Sequence, residues 1–296
     1  MNWSKRRERF RTFLAEGRCV YPASVFDPIS AHIAEDLGFE VGIFAGSVCS
    51  YTVLGVPDLV LLTLTELASQ ANRICRAGDL PIMVDAGHGY GNALNVKRTV
   101  EEMETAGVCA LFIEDTVMPA PFGAMKSRNL ISVEEGVGKM RAALAGREDP
   151  KLVVVGRTKL LSINDDAIID DAIIVDVIAR AKAYVAAGVD AMFFAGVRTR
   201  AQLDAIFSVV KVPIMLGTSG AELYDRDYLT SRGVRVCLQG HQPFLAAVKA
   251  TYETLKALRE GTPQAEIKNV VSTDLLRRIT RASEYDRMSK DFLGLT

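Results

Sequence analysis

Eight short runs of apolar residues, rich in β-branched and aromatic side chains, recur along the chain and are separated by segments of helical character. A parallel sheet that is covered by helices on both faces requires such near-continuous apolar strands of about five residues. The predicted strands lie within residues 19–26, 41–46, 81–87, 110–115, 152–158, 191–196, 213–217 and 235–240. This alternation predicts an α/β fold.

Residues typical of helix ends support the same alternation. Asp27 precedes Pro28, which is the order expected of an N-cap followed by the first helical residue. Thr63 and Glu66 have the spacing of a capping box. Five glycines follow predicted helices and are expected to form left-handed C-terminal caps: Gly38, Gly78, Gly107, Gly188 and Gly233.

Eight strand–helix units in 296 residues without a linker predict one (β/α)8 barrel, the TIM-barrel fold, as a single domain over residues 1–296. A doubly wound sheet is the alternative, but the turn after the first strand lacks the glycine-rich phosphate-binding motif of that class. An additional N-terminal helix is predicted at about residues 3–16. A C-terminal helical tail at about residues 272–293 exceeds what barrel closure needs, and it suggests subunit contacts.

The composition excludes several kinds of partner. Lys and Arg total 35 against 36 Asp and Glu, so the formal net charge of −1 argues against nucleic acid and against a polybasic membrane anchor. The sequence contains no run of about 18 uncharged apolar residues, so no membrane span is predicted. The five cysteines form no CxxC motif, which favours reduced, buried thiols and a cytoplasmic location.

In a (β/α)8 barrel the active site forms at the C-terminal ends of the strands. The polar residues expected there are Ser47, Asp85, Glu114, Asp115, Arg157 and His241. Carboxylates that converge with an arginine suit Mg²⁺ and a small carboxylate substrate. Asp85 stands out because a carboxylate within an apolar strand must be paired or must bind a metal.

Each of the other candidates also has a structural interpretation. Glu114 and Asp115 can cap the following loop, and Arg157 can simply neutralise a carboxylate of the barrel. His241 can be a helix N-terminal residue. The remaining histidines, His32 and His88, are interpreted as surface or core residues.

Several motifs together identify a family resemblance. They are ASVFDPISAHIAEDLGFE followed by AGSV, then VPD, VDAGHGYGNALNVKRTVEEME, IEDTVMP, ISVEEGVGKMRAAL, VGRT and GH. Along nearly its whole length the chain resembles the isocitrate lyase/phosphoenolpyruvate mutase superfamily, and within it the oxaloacetate decarboxylase-like branch.

The resemblance implies an enzyme that uses Mg²⁺, or alternatively Mn²⁺, on an α-keto dicarboxylate. The expected reaction is decarboxylation of oxaloacetate, or of a close β-carboxy-α-keto acid, to pyruvate and CO₂ through a metal-stabilised enolate. The resemblance also implies a homotetramer in which the C-terminal helices are exchanged between subunits.

Residue roles follow from the same resemblance. It implies that Asp85 holds the metal, with Asp58 and Glu114 in its outer shell. It also implies that the substrate carboxylate binds at Gly46 and Ser47, and that Arg157 and His241 contact the substrate as catalytic residues.

The chain departs from the family pattern at two positions. Gly87 replaces the second aspartate of an Asp-Ala-Asp motif, and Lys159 stands where the family usually has Asn, Asp or Glu. If both face the site, its charge shifts by two units toward positive. In addition, the loop after the fourth strand lacks the catalytic cysteine of isocitrate-type lyases, although its Lys126 could close over an anion.

These departures leave two alternatives to oxaloacetate decarboxylation. One is a C–P or C–C bond-cleaving enzyme that acts on a related α-keto or phosphono acid. The other is a catalytically silent barrel that binds a dicarboxylate.

Overall fold

The computed structural model describes residues 2–120, 122, 130–159, 161, 171–217 and 220–294. The strands are β1 (Ala23–Ser24), β2 (Gly42–Phe44), β3 (Ile82–Asp85), β4 (Ala110–Glu114), β5 (Val153–Thr158), β6 (Ala191–Phe194), β7 (Ile214–Leu216) and β8 (Val234–Cys237). The helices are α1 (Trp3–Ala15), α2 (Pro28–Asp36), α3 (Gly46–Cys49), α4 (Leu64–Ala77), α5 (Ala93–Ala106), α6 (Val133–Gly146), α7 (Asp171–Ala187), α8 (Arg200–Val209), α9 (Arg226–Ser231), α10 (Gln242–Arg259), α11 (Thr273–Ile279) and α12 (Ala282–Leu293).

The strands form one parallel sheet in which each pairs with the next along the chain, from β1 to β8. A parallel bridge between Val20 and Val236 joins the two edges and closes the ring. The predicted (β/α)8 barrel is therefore confirmed. Seven strands lie within their predicted runs, and β8 begins one residue earlier than predicted, at Val234.

The strands alternate between two apolar layers, as the pleat requires. Met83, Phe112 and Val155 belong to a cluster that fills the barrel lumen. Val84 and Leu111, their neighbours in sequence, belong to a second cluster between the strands and the helices. The lumen side is therefore set by every second residue, and this determines which polar side chains face inward where the strands end.

Most predicted helix ends are confirmed. Asp27 and Thr63 each form a capping box at the start of a helix. Four of the five glycines have the expected positive φ, but Gly78 does not: its φ of −161° is extended. Here α4 stops without a left-handed cap, and the Gly78 carbonyl instead accepts a hydrogen bond from buried Arg6.

Helix α1 closes the N-terminal end of the barrel. Its Phe10, Phe13 and Leu14 are buried in the lumen cluster. The basic side chains of the same helix are also engaged, because Arg7 donates to the Val108 carbonyl at 3.0 Å and pairs with Asp149 at 3.0 Å. The basic side chains of α1 therefore hold this helix against the end of the barrel.

The C-terminal helices are largely exposed. None of the 18 residues of α10 is buried, and the tail is two helices rather than one, because Arg281 adopts a left-handed φ of 58° between α11 and α12. Across the described ranges, no helix is both long and apolar enough to span a membrane.

Candidate active site at the C-terminal ends of the strands

Two adjoining cavities open at the C-terminal ends of the strands. The first, of about 240 Å³, is floored by the rings of Phe112 and Phe193. The second, of about 70 Å³, reaches toward Glu114 and the loop after β3. Both cavities are lined by the same four polar side chains: Ser47, Asp58, Asp85 and Lys159.

Asp85 and Arg157 form the central ion pair of the site. Asp85 Oδ2 accepts from Arg157 at 2.5 Å, and Asp85 Oδ1 accepts the Gly87 backbone N–H at 3.0 Å. The guanidinium carbon of Arg157 lies 5.1 Å from the centroid of the Phe193 ring. Arg157 is therefore held by both charge and ring stacking, with its planar group fixed in the cavity.

Glu114 accepts from a second cation. Lys159 Nζ lies 2.7 Å from Glu114 Oε2 and 2.9 Å from Oε1, and Arg157 Nε lies 3.5 Å from Oε2. The Glu114 side chain is almost completely buried, and the Thr116 hydroxyl also donates to it. Lys159 therefore points into the site, toward the carboxylate next to Asp85.

The charges of this cluster set its protonation. Burial alone would raise the pKa of Asp85 and of Glu114, but the positive charges of Arg157 and Lys159 outweigh burial and hold both pKa values below the ordinary range. The pKa of Asp58 is raised, first by burial and then by the negative charge of Asp85. Three carboxylates and two cations thus share the site, which leaves one negative charge when all are ionised.

Asp115, the next residue after Glu114, faces the opposite way. It is fully buried between the strands and α7, where Arg180 lies 3.3 Å and the Tyr184 hydroxyl 3.1 Å from its Oδ2. Arg180 also donates to the Ile131 carbonyl at 3.0 Å. Of the two neighbouring acids, Glu114 lines the cavity, whereas Asp115 joins the end of β4 to α7.

Gly87 leaves space beside Asp85. Its φ is +54°, and a Cβ built there would meet no other atom within 4 Å. By contrast, a Cβ on Gly46 would lie 3.4 Å from the Asp85 carbonyl oxygen, so the start of α3 passes close to the end of β3.

His241 also lines the larger cavity, just before α10. Its Nδ1 is 2.9 Å from the hydroxyl of Ser24, a buried residue of β1. Burial lowers the pKa of His241, although the negative charges of Asp85 and Asp58 oppose this change. The imidazole is therefore neutral near pH 7.

The loop after β3 contributes a third group of residues. His88 is buried, as expected of a core residue, yet it also lines the smaller cavity beside Tyr90. The buried ammonium of Lys139, from α6, donates to the His88 carbonyl at 3.0 Å. Tyr90 has a positive φ of 61°, and burial raises the pKa of its hydroxyl.

Nearly all the residues singled out in the sequence meet at these cavities. They are Gly46, Ser47, Asp58, Asp85, Gly87, Glu114, Arg157, Lys159 and His241. Lys126 lies outside the described residues. Sequence reasoning missed Ser24, Tyr90 and Lys139; Ser24 had the same signal as Asp85, a polar residue within an apolar strand.

Fold and site together define a (β/α)8-barrel enzyme whose cavity of paired carboxylates and cations opens at the C-terminal ends of the strands. The sequence profile described as phosphoenolpyruvate phosphomutase matches residues 10–259. The chain belongs to this family, within the phosphoenolpyruvate mutase/isocitrate lyase superfamily.

Individual relatives agree with this assignment. An oxaloacetate decarboxylase of Rhodopseudomonas palustris (strain BisB18) is 53% identical over 295 residues, which cover 100% of this chain and 99% of the relative. The crystal structure of a phosphoenolpyruvate phosphomutase from Streptomyces platensis subsp. rosaceus has a TM-score of 0.84 at 25% identity, covering 97% of this chain and 99% of that one. A phosphonopyruvate hydrolase in complex with oxalate and Mg²⁺ has a TM-score of 0.81 at 24% identity, covering 97% and 98%.

Proposed function

We propose that this protein is a divalent-metal-dependent oxaloacetate decarboxylase. The observation that carries the proposal is the cluster of Asp85, Glu114 and Arg157 at the mouth of the barrel, in a chain that is 53% identical to an oxaloacetate decarboxylase along its whole length. The reaction removes the β-carboxylate of oxaloacetate as CO₂, and the carbon left behind takes up a proton to give pyruvate.

The donor chemistry of the site fits Mg²⁺. Asp58, Asp85 and Glu114 offer hard carboxylate oxygens to the same cavity, and the space at Gly87 has room for water. Within the described part of the chain no three ligating side chains are grouped closely enough to hold an ion alone. This suits Mg²⁺, which typically binds one or two protein carboxylates and completes its shell with water and substrate oxygens.

In this proposal Asp85 holds the ion and Asp58 and Glu114 act from its outer shell. When bound, the ion supplies Lewis-acid polarisation of the keto group. Gly46 and Ser47 bind the α-carboxylate. Arg157 and neutral His241 donate hydrogen bonds toward the keto oxygen, where negative charge grows as the carbon–carbon bond breaks.

The test is pyruvate release from oxaloacetate, measured with Mg²⁺ and with EDTA. Because free divalent ions decarboxylate oxaloacetate unaided, Asp85→Asn is assayed at the same metal concentration. We expect it to lower metal-dependent turnover by about a hundredfold or more. Asp149→Asn, which alters a carboxylate at the opposite end of the barrel, should retain turnover. A wild-type rate equal to that of Asp85→Asn would overturn the proposal.

We further propose that Lys159 and Gly87 together weaken metal binding and favour an anionic ligand. Lys159 neutralises Glu114, and Gly87 supplies no carboxylate. Gly87→Asp should tighten Mg²⁺ binding, measured by calorimetry, by about tenfold through one added negative charge. Gly87→Asn is the matched control, because both residues tolerate the positive φ but Asn adds no charge. Equal affinities for the two variants would contradict this role.

A phosphono substrate is the second candidate, because Lys159 makes the cavity less negative and so reduces its repulsion of a more anionic β-substituent. It is tested by measuring phosphate release from phosphonopyruvate under the same conditions. Phosphate release that exceeds pyruvate formation from oxaloacetate would favour this candidate. Ligand binding without turnover of either compound would favour a silent barrel.

We also propose that residues 1–296 form one barrel domain that assembles as a homotetramer by exchanging C-terminal helices. The exposed apolar residues of α10 recur at helical spacing: Leu245, Val248, Tyr252, Leu255 and Leu258. A groove of about 470 Å³, lined by Phe26, Ile33, Leu37 and Phe39, offers a matching apolar surface. Light scattering on Leu255→Asp should show a smaller particle than wild type; an unchanged mass would contradict the exchange.

A cytoplasmic location is also proposed. All five cysteines are buried, which suits thiols in a reducing compartment.

A further inference from the structure

A hydrogen bond joins the first strand of the barrel to the end of the last. Ser24 Oγ, in β1, lies 2.9 Å from Nδ1 of His241, 217 residues later in the chain. The two residues meet where the barrel closes, because Val20 and Val236 form the bridge between the edges of the sheet. The contact depends on closure of the whole barrel.

This hydrogen bond is the main polar contact of both side chains. Within the described ranges, the Ser24 hydroxyl has no other side-chain or backbone partner, and Nε2 of His241 makes no hydrogen bond. Ser24 is 6% exposed and faces the groove behind the cavity, whereas His241 lines the cavity itself. Because Nδ1 is engaged by Ser24, Nε2 is the nitrogen left to meet a ligand.

The charges of the cavity favour one tautomer. Asp58 and Asp85 line the same cavity as His241, and ionised carboxylates only accept hydrogen bonds. A ring with a proton on Nε2 presents a donor to this acceptor-rich cavity, whereas a bare Nε2 presents a lone pair. A proton on Nε2 leaves Nδ1 as an acceptor, which matches the hydroxyl donor of Ser24.

We propose that Ser24 is a positioning residue: its hydroxyl donates to Nδ1 of His241, keeps the ring proton on Nε2 and leaves Nε2–H to donate within the cavity that Arg157 also lines. The role of this donor toward the keto acid rests on the proposed function, whereas the tautomer of His241 can be measured independently of that function. A neutral imidazole held in this way donates a hydrogen bond to developing negative charge without any change of protonation.

The first measurement is the histidine tautomer, observed by ¹⁵N NMR in the absence of substrate and metal. The chain has only three histidines, and His241→Gln assigns the His241 signal by its loss. We expect the Nε2–H tautomer in the wild-type protein and a mixture of tautomers in Ser24→Ala. A wild-type signal from the Nδ1–H tautomer, or an identical signal in Ser24→Ala, would overturn the inference.

The second measurement is steady-state kinetics on oxaloacetate. Ser24→Ala should lower kcat by about tenfold with a smaller change in KM, as expected when one oriented donor is lost. Ser24→Thr keeps the hydroxyl and should restore most of the activity, because its methyl group can enter the groove. Ser208→Ala, which removes an exposed hydroxyl that donates to the Ala205 carbonyl, is the matched control and should have no effect.

The two measurements separate the two proposals. If oxaloacetate is not turned over but the tautomer shifts as expected, the proposed function fails and the Ser24 inference stands. If oxaloacetate is turned over and Ser24→Ala matches wild type in both tautomer and kcat, the Ser24 inference fails alone. Unchanged thermal unfolding of Ser24→Ala confirms that the variant is folded.

Discussion

At the N-terminal end of the strands the lumen is sealed by the apolar side chains of α1, whereas at the C-terminal end the same lumen holds Asp85, Glu114, Arg157 and Lys159. Both ends use inward-facing residues of the same strands. The closed end removes apolar surface from water, which is the main source of folding free energy. The open end holds buried ion pairs, whose desolvation cost offsets much of their attraction.

This contrast separates stability from function. Residues of the closed end should affect unfolding more than turnover, and residues of the open end should do the reverse.

Phe10→Ala should destabilise the protein most. Phe10 is fully buried in the lumen cluster, so truncation loses apolar contact and leaves a cavity. We expect a loss of about 3–5 kcal/mol in the free energy of unfolding, measured with urea. Leu94→Ala, at a side chain of α5 that is 78% exposed, is the control and should change it far less. A folded Phe10→Ala protein with greatly reduced turnover would contradict the separation of stability from function.

Arg157→Lys should have the largest effect on catalysis relative to stability. Arg157 reaches Asp85 and Glu114 with different nitrogens and stacks on Phe193, and a single ammonium cannot do all three. We expect kcat/KM for oxaloacetate to fall by about a hundredfold. Arg7→Lys makes the same change at the closed end and should keep kcat/KM within about twofold while lowering stability.

Asp149→Asn should reveal a pH-dependent contribution at the closed end. Burial would raise the pKa of Asp149, but hydrogen bonds from the Lys151 N–H and from Arg7 lower it below its ordinary value of 3.8. The carboxylate therefore stabilises the fold above pH 3.8, and this contribution disappears as the pH falls through the lower folded pKa. Urea unfolding at pH 7 and pH 3 should show the two proteins converging at acid pH; a constant difference would contradict this.

His32→Leu should have the smallest effect. The two ring nitrogens of His32 lie 2.5 Å from the Ala77 carbonyl oxygen and 2.6 Å from the Ile279 carbonyl oxygen, so the ring joins α4 to the C-terminal tail. We expect a loss of about 1 kcal/mol, and faster amide exchange confined to α11. His32→Gln, which keeps one donor, should lie between the variant and wild type.

Much of the architecture was predictable because its causes are local. Strand runs, the capping boxes at Asp27 and Thr63, and most left-handed glycines depend on neighbouring residues. Gly78 was predicted wrongly, since its conformation follows the contact with Arg6, which is distant in sequence. The exposure of α10 was likewise not predictable, because it depends on which other segments pack against the helix.

The active site likewise has features that the sequence predicts and features that it does not. The positions of Asp85, Glu114 and Arg157 at strand ends could be predicted from the sequence, since any barrel gathers its strand ends at one face. Their pairing could not. That Lys159 turns inward onto Glu114 while Asp115 turns outward onto Arg180 depends on the register of β4 and β5, where Glu114 lies opposite Arg157.

The sequence by itself determined the order of strands and helices, the barrel class and the residues available at its catalytic end, because these follow from periodicity, capping and composition. Only the tertiary structure decided which of these residues meet. Closure of the sheet brings Ser24 to His241 across 217 residues, and the pleat sorts Glu114 and Asp115 to opposite sides of a strand. Such contacts depend on the relative alignment of distant segments, which no local pattern specifies.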